Sequence, residues 1–279
     1  MERAAVVVTG ASTGIGAATT QLLAEQGFTV FAGVRTDADA RRIASMSRNI
    51  RALMLDITDG AAIARAKETV AAEGVPLRGL VNNAGIALGG PLEYLPIEQL
   101  RRQFDVNVFG TMATTQAFLP LLHAVPGRIV MVGSISGRLP IPYIGPYSAS
   151  KFALRALCDA LRVELAPANI TVSLVEPSSV KTPIWGKGRA SRAKLLDMIP
   201  PGAMPYYRNA LEAMMKSTES EEHIGMDAGV VAKVIFDALT ASRPRANYLI
   251  GGPARAGSLV ALLPARVRDS VIRKSMRLP

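Results

Sequence analysis

The 279-residue chain is 49% hydrophobic and 19% charged, which excludes intrinsic disorder and suits one large domain with its own core. A single cysteine, Cys158, excludes an intramolecular disulfide and fits a reducing cytosol. The net charge is +10, and from Arg243 onward seven arginines and one lysine face Asp269 alone, so most of the excess belongs to the C-terminal segment.

The opening "MERAAVVVTG" carries an acid and too short an apolar run for a signal peptide, and no stretch approaches the roughly 18 apolar residues of a spanning helix. A cytoplasmic protein is expected. Aromatics are sparse and no nucleic-acid module is present, so no nucleic-acid partner is expected. No His/Cys/carboxylate cluster has ligand spacing, so no metal is expected, and His123 and His223 read as structural or surface residues.

In chain order, the runs "AAVVVTG", "FTVFAGV", "RALMLD", "LRGLVNNAG", "GRIVMVGS", "NITVSLVEP" and "ANYLIGG" read as seven strands. They are nearly continuous in Val, Leu and Ile, as parallel strands covered on both faces are. Ala-rich amphipathic segments such as "GIGAATTQLLAEQG" and "DGAAIARAKETVAAEG" lie between them and close on glycine. The alternation predicts a single-domain α/β protein with a doubly wound (Rossmann) sheet of about seven parallel strands. Residues 1–252 form the predicted dinucleotide-binding domain, with an interruption at 183–217. Residues 253–279 form a basic extension packed on it.

The first strand-to-helix junction, "VVVTGASTGIGAATTQLL", places Gly10, Gly14 and Gly16 where backbone amides can approach a pyrophosphate. The second strand ends in Val34-Arg35, with no carboxylate for the adenosine ribose. Arg35 offers a fork for a 2′-phosphate, with Ser12 and Thr13 alongside, so NADP(H) is favoured over NAD(H). Asp56 follows the third strand at the same edge, where it either meets the adenine or caps a helix. Further on, "GPYSASKFAL" sets Tyr147 and Lys151 at i and i+4 on one helix face. A free tyrosine titrates near about 10, and a nearby cation favours its phenolate, which is what a general acid/base near neutral pH requires. Cys158 falls on the same helix and reads as packing.

These motifs, "TGASTGIG" at 9–16, "NNAG" at 82–85, the Asn of "FDVNVFG", "GSIS" at 133–136 and Tyr147 with Lys151, together resemble the short-chain dehydrogenase/reductase family. The resemblance implies an NAD(P)(H)-dependent oxidoreductase that interconverts an alcohol and a ketone or aldehyde. It places a catalytic tetrad on Asn107, Ser134, Tyr147 and Lys151. Ser134 would hold the substrate oxygen, Tyr147 would exchange the proton, and Lys151 would tune Tyr147 and bond the nicotinamide ribose. Asn107 would hold a water near Lys151. The implied cofactor contacts also include Ile15, Ile57, Asn83, Ala84, Gly85, Pro177, Val180 and Thr182, with Ser178 standing where the family has glycine.

The interruption at 183–217 matches the family's lid, and Trp185, Leu195, Leu196, Met198, Met204, Tyr206, Tyr207, Met214 and Met215 line it with apolar groups. Trp185 is taken as a substrate contact beside Ser134 and Tyr147. Resemblance to the hydroxysteroid and retinol dehydrogenase branch points to a small apolar alcohol/carbonyl substrate, such as a steroid, retinoid or lipid, and to a homodimer or homotetramer. Two other readings stand: a non-catalytic NADP(H)-binding regulator, and a sugar-nucleotide epimerase or dehydratase. Leu259, Leu262, Leu263, Val267, Val271 and Ile272 recur on the basic tail and give it one apolar edge. Such a segment either docks on the body as helices or also rests peripherally on anionic membrane.

Overall fold

The computed structural model describes residues 4–184, 199–209, 211–212 and 225–276. Trp185, Leu195, Leu196, Met198, Met214, Met215 and His223 lie outside the described residues.

All seven predicted strands form, as β1 (Ala5–Val8), β2 (Thr29–Val34), β3 (Ile50–Met54), β4 (Leu77–Asn82), β5 (Arg128–Val132), β6 (Thr171–Pro177) and β7 (Asn247–Ile250). They make one parallel sheet in the order β3-β2-β1-β4-β5-β6-β7. Strand order reverses between β1 and β4, the switch point at whose carboxyl edge sheets of this kind form a crevice.

Helices cover both faces. On one, α3 (Gly60–Ala72), α5 (Thr111–Leu122) and α6 (Gly145–Glu164) pack over β4 to β6 around Phe118, Leu122, Met131 and Leu154. On the other, α1 (Gly14–Glu25), α2 (Asp37–Ala44) and α7 (Ala228–Thr240) bury Leu23, Ile43, Val231 and Ile235 against β1 and β2. Each fully buried side chain of this size stabilises the fold by about 1.5–3 kcal/mol. Such two-sided burial is why the strands read as unbroken apolar runs. Thr36, Asp59 and Asp227 cap α2, α3 and α7 through side-chain oxygens. The cap of α3 is Asp59, which leaves Asp56 at the cleft.

Between α4 (Ile97–Phe104) and α5 the chain makes a π-helical turn, Asp105–Gly110. After β7, α8 (Gly252–Val260) and α9 (Ala265–Ser275) follow, separated at Pro264. Helix α8 meets the body near Ile135 and Leu139, whereas α9 buries no residue at all. Cys158 is fully buried, and burial pushes its thiol up to about 11, which leaves it inert.

Candidate active site

A cleft of about 610 Å³ opens at the carboxyl ends of β1 to β6. Every predicted cofactor contact lines it except Gly16 and Asn107, which stand just behind its wall, and Ser134 lines it too. Gly10 enters the turn with φ of 63°, a left-handed conformation that glycine adopts without strain. A Cβ on Gly16 would lie 2.2 Å from the Gly10 carbonyl oxygen and 2.5 Å from Asn83 Nδ2, so only glycine lets α1 begin this close to the turn. Asn83 donates to the carbonyls of Thr9 and Gly10 at 3.0 and 3.1 Å, and Thr9 Oγ1 accepts from the backbone N–H groups of Asn83 and Ala84. The "NNAG" segment thus braces the glycine turn from β4 as well as lining the cleft. Thr13 precedes α1 without a side-chain cap bond, leaving the first amides of the helix open toward the cleft. A cradle with that much exposed N–H fits a dinucleotide pyrophosphate.

At the adenosine end Arg35 is exposed, and its charge reaches Asp56. Partial burial pushes the Asp56 carboxyl up, but the hydroxyl and N–H of Thr58, at 2.7 and 2.9 Å, together with Arg35 hold it below the usual carboxylate range. Two residues escaped the sequence reading. Arg42 Nη2 donates to the Ser12 carbonyl at 2.5 Å and pairs with Asp39 at 2.7 Å, and Arg102 lines the cleft. The only signal in the sequence was an arginine on the helix after β2, seven positions beyond Arg35. Val34 and Arg35 both line the cleft at the end of β2, but Val34 is 2% exposed and packs into the core, so the charged group there is Arg35.

The four tetrad residues are all buried: Asn107, Ser134, Tyr147 and Lys151 are 1%, 9%, 7% and 7% exposed. Tyr147 is the third residue of α6, in its first turn, where the positive end of the helix dipole favours an anion. Lys151, one turn on, donates from Nζ to the Val132 carbonyl at 2.8 Å and stands 5.6 Å from the Tyr147 ring centroid. No carboxylate pairs with it among the described residues, and burial lowers its pKa to about 8. Ser134 caps the short 3₁₀ turn Ile135–Gly137 by accepting from the Ser136 N–H at 3.1 Å. Asn107 sits in the π-helical turn; it accepts from the Ile86 N–H and donates to the Ile86 carbonyl and Ser150 Oγ at 3.0 Å each. Single π turns of this kind recur at functional sites because they re-aim one side chain.

On the substrate side Tyr147 packs with Ala87, Ile144, Ile199 and Leu211, and Tyr143, Met204 and Tyr207 lean against the cluster. Tyr207 donates to the Glu93 carboxylate, which pushes its phenol up to about 12 and takes it out of proton exchange. Tyr143 turns at φ 65° just before α6, and its carbonyl accepts from the Gly90 N–H at 2.7 Å. Ser178 finds room because residue 251 is glycine: a Cβ there would lie 2.4 Å from Ser178 Oγ. Its hydroxyl therefore points toward the start of α8.

Fold and cleft define an α/β dinucleotide-binding protein with a buried phenol and ammonium at the crevice. A family model for short chain dehydrogenases matches residues 4–193, and the chain belongs to that family. It is 38% identical to a 3-amino-tetrahydro-pyrrolizinone reductase of Xenorhabdus hominickii, over 91% of this chain and 89% of that one. It is 35% identical to an NADPH-dependent 3-dehydrocapnine reductase of Ornithobacterium rhinotracheale, over 97% and 96%. Among solved structures, a short chain dehydrogenase/reductase from Burkholderia phymatum in complex with NAD superposes with a TM-score of 0.78 at 25% identity, covering 100% of this chain and 96% of that one. The protein is an NAD(P)-dependent oxidoreductase that interconverts an alcohol and a ketone or aldehyde. No helix among the described residues is long and apolar enough to cross a membrane.

Proposed function

We propose that the chain prefers NADP(H), acts on a hydrophobic alcohol/carbonyl pair, and uses Tyr147 as its acid/base. The observation that carries this reading is the burial of Tyr147 and Lys151 together at the wall of the cleft, with Nζ 5.6 Å from the ring. A bound nicotinamide dinucleotide supplies or accepts the hydride. In reduction, Tyr147 gives its phenolic proton to the substrate oxygen; in oxidation the phenolate takes the hydroxyl proton back. Lys151 and the first turn of α6 stabilise the phenolate between turnovers. Ser134 donates to the substrate oxygen as charge builds on it, a bond that strengthens in the transition state. Asn107 holds the Ile86 segment to α6 through Ser150, which keeps the lysine's surroundings fixed, and the family resemblance assigns it the ordering of a water near Lys151.

Gly10, Ser12, Thr13, Gly14, Ile15 and Gly16 hold the pyrophosphate side. Arg35 takes the 2′-phosphate, Asp56 and Ile57 take the adenine, and Asn83, Ala84 and Gly85 the adjoining ribose. Pro177, Val180 and Thr182 take the nicotinamide side, and Ser134, Tyr147 and Trp185 take the substrate. The preference for NADP(H) is supported by Arg35 and by the NADPH dependence of the Ornithobacterium relative. The apolar neighbours of Tyr147 support a hydrophobic substrate. Initial rates with NADPH and NADH against ketosteroids, retinal and acyl-chain ketones test all three points. The expected result is turnover of at least one apolar carbonyl, faster with NADPH. Turnover of polar carbonyls alone, or a preference for NADH, overturns the corresponding part.

In the same proposal residues 1–252 are the catalytic domain and residues 253–279 an extension packed on it. Exposed Leu259, Leu262, Leu263, Val267 and Val271 on a basic segment support its peripheral contact with anionic lipid. Exposed Phe152 and Val163 on one face of α6, and exposed Phe109, support a homodimer or homotetramer, which we take to be cytoplasmic.

A further inference from the structure

Glu176, near the end of β6, is a carboxylate 1% exposed that the chemistry above does not use. Arg138 reaches it with Nε at 2.9 Å from both carboxylate oxygens and with Nη2 at 2.5 Å from Oε2. Arg155 Nη1 reaches Oε1 at 3.2 Å. Arg138 directly follows the 3₁₀ turn that Ser134 caps, and Arg155 lies one helical turn beyond Lys151. Three chain segments, which carry the serine, the tyrosine–lysine helix and the β6 end of the cleft, therefore converge on one buried carboxylate. The serine turn also rests directly on the helix. A Cβ on Gly137 would lie 2.8 Å from the Lys151 carbonyl oxygen.

A buried ion cluster is weak evidence for stability, because apolar side chains of equal volume often serve as well. What the bidentate Arg138–Glu176 pair supplies is direction: two parallel bonds fix the guanidinium plane, and with it the chain leaving the 3₁₀ turn. We propose that Arg138 and Glu176 are positioning residues that hold the Ser134 hydroxyl at its working distance from the Tyr147 phenol. The inference rests on Ser134 bonding the substrate oxygen, as above. A displacement of about 1 Å at such a group costs roughly a hundredfold in rate.

The test measures steady-state kinetics, NADPH affinity and melting temperature for Arg138→Ala, Arg138→Lys, Glu176→Gln and Ser134→Ala, and for Arg138→Ala combined with Ser134→Ala. The expected outcome for Arg138→Ala is a roughly tenfold to hundredfold fall in kcat with NADPH affinity within about twofold, and partial recovery in Arg138→Lys. In the Ser134→Ala background the same Arg138 change should lower kcat by less than about twofold, because a residue acting through another has nothing left to position. An equal fall in both backgrounds overturns the proposal, and so does an unchanged kcat in Arg138→Ala. Full activity of Ser134→Ala by itself refutes the role of Ser134 instead. Should Arg138→Ala not fold, Arg138→Lys and Glu176→Gln carry the same comparison with Ser134→Ala.

Discussion

The two ends of the cleft are built on opposite electrostatic plans. At the nicotinamide end Asn107, Tyr147 and Lys151 are almost wholly buried, the ammonium meets a backbone carbonyl and an aromatic ring and no carboxylate among the described residues, and its pKa falls to about 8. At the adenosine end Arg35 and Arg42 are exposed. Burial changes what a group can do chemically, whereas an exposed guanidinium only adds a charge that salt screens. One end is therefore expected to govern rate and the other affinity.

The sharpest way to break this contrast is Tyr147→Phe, which keeps the ring and deletes the proton. Its kcat should fall by about 10²–10⁴ while NADPH still binds, as read by single-turnover and titration experiments. Full activity there ends the assignment.

Replacing the buried cation separates stability from activity. A lysine lowered from 10.5 to about 8 costs the folded state at every pH where the ammonium is demanded. The penalty is complete below about pH 8, where both states hold the proton. It is relieved as pH rises from about 8 toward 10.5, because there the unfolded chain still holds the proton that the folded chain has released. Lys151→Met should therefore be nearly inactive yet melt at or above the wild-type temperature at pH 7. The gain, up to about 3 kcal/mol, should shrink toward pH 10. Thermal denaturation across that range checks it, and a variant less stable at pH 7 than at pH 10 relative to wild type reverses the sign.

At the exposed end, Arg35→Asp should weaken NADPH by tenfold to a hundredfold, equivalent to about 1.5–3 kcal/mol, and leave NADH within about threefold. The wild-type preference should itself decline as salt rises. An NADPH affinity indifferent to both sinks the phosphate role of Arg35.

The smallest effect per residue is expected from the tail, where each arginine near an anionic surface contributes about 1 kcal/mol. Sedimentation with phosphatidylserine vesicles should show binding at low salt that high salt and truncation at Gly252 abolish. Binding unchanged by truncation assigns the contact to another surface.

Much of this is legible in the sequence. The seven strands announced themselves because both faces of a parallel sheet are buried, so each strand is a run of Val, Leu and Ile. The placement of Tyr147 and Lys151 on one helix face follows from 3.6-residue periodicity alone. The separated motifs then fixed the family. Arg42 was missed because its partner, the Ser12 carbonyl, is 30 residues away and carries no side-chain signature. The sequence leaves Asp56 either a cap or a cleft residue; the structure decides, because Asp59 accepts from the Ala61 N–H.

What the sequence determined by itself was local: strand and helix periods, the glycine turn, and the spacing of a phenol and an ammonium. Only the tertiary structure decided that Lys151 is buried with no carboxylate beside it among the described residues, that Asn107 points from a π turn to Ile86 and Ser150, and that Arg138 and Arg155 meet on Glu176 across 38 and 21 residues. The physical reason is range. Propensity and periodicity act within a turn or two, whereas burial and ion pairing depend on which distant segments the sheet order brings together.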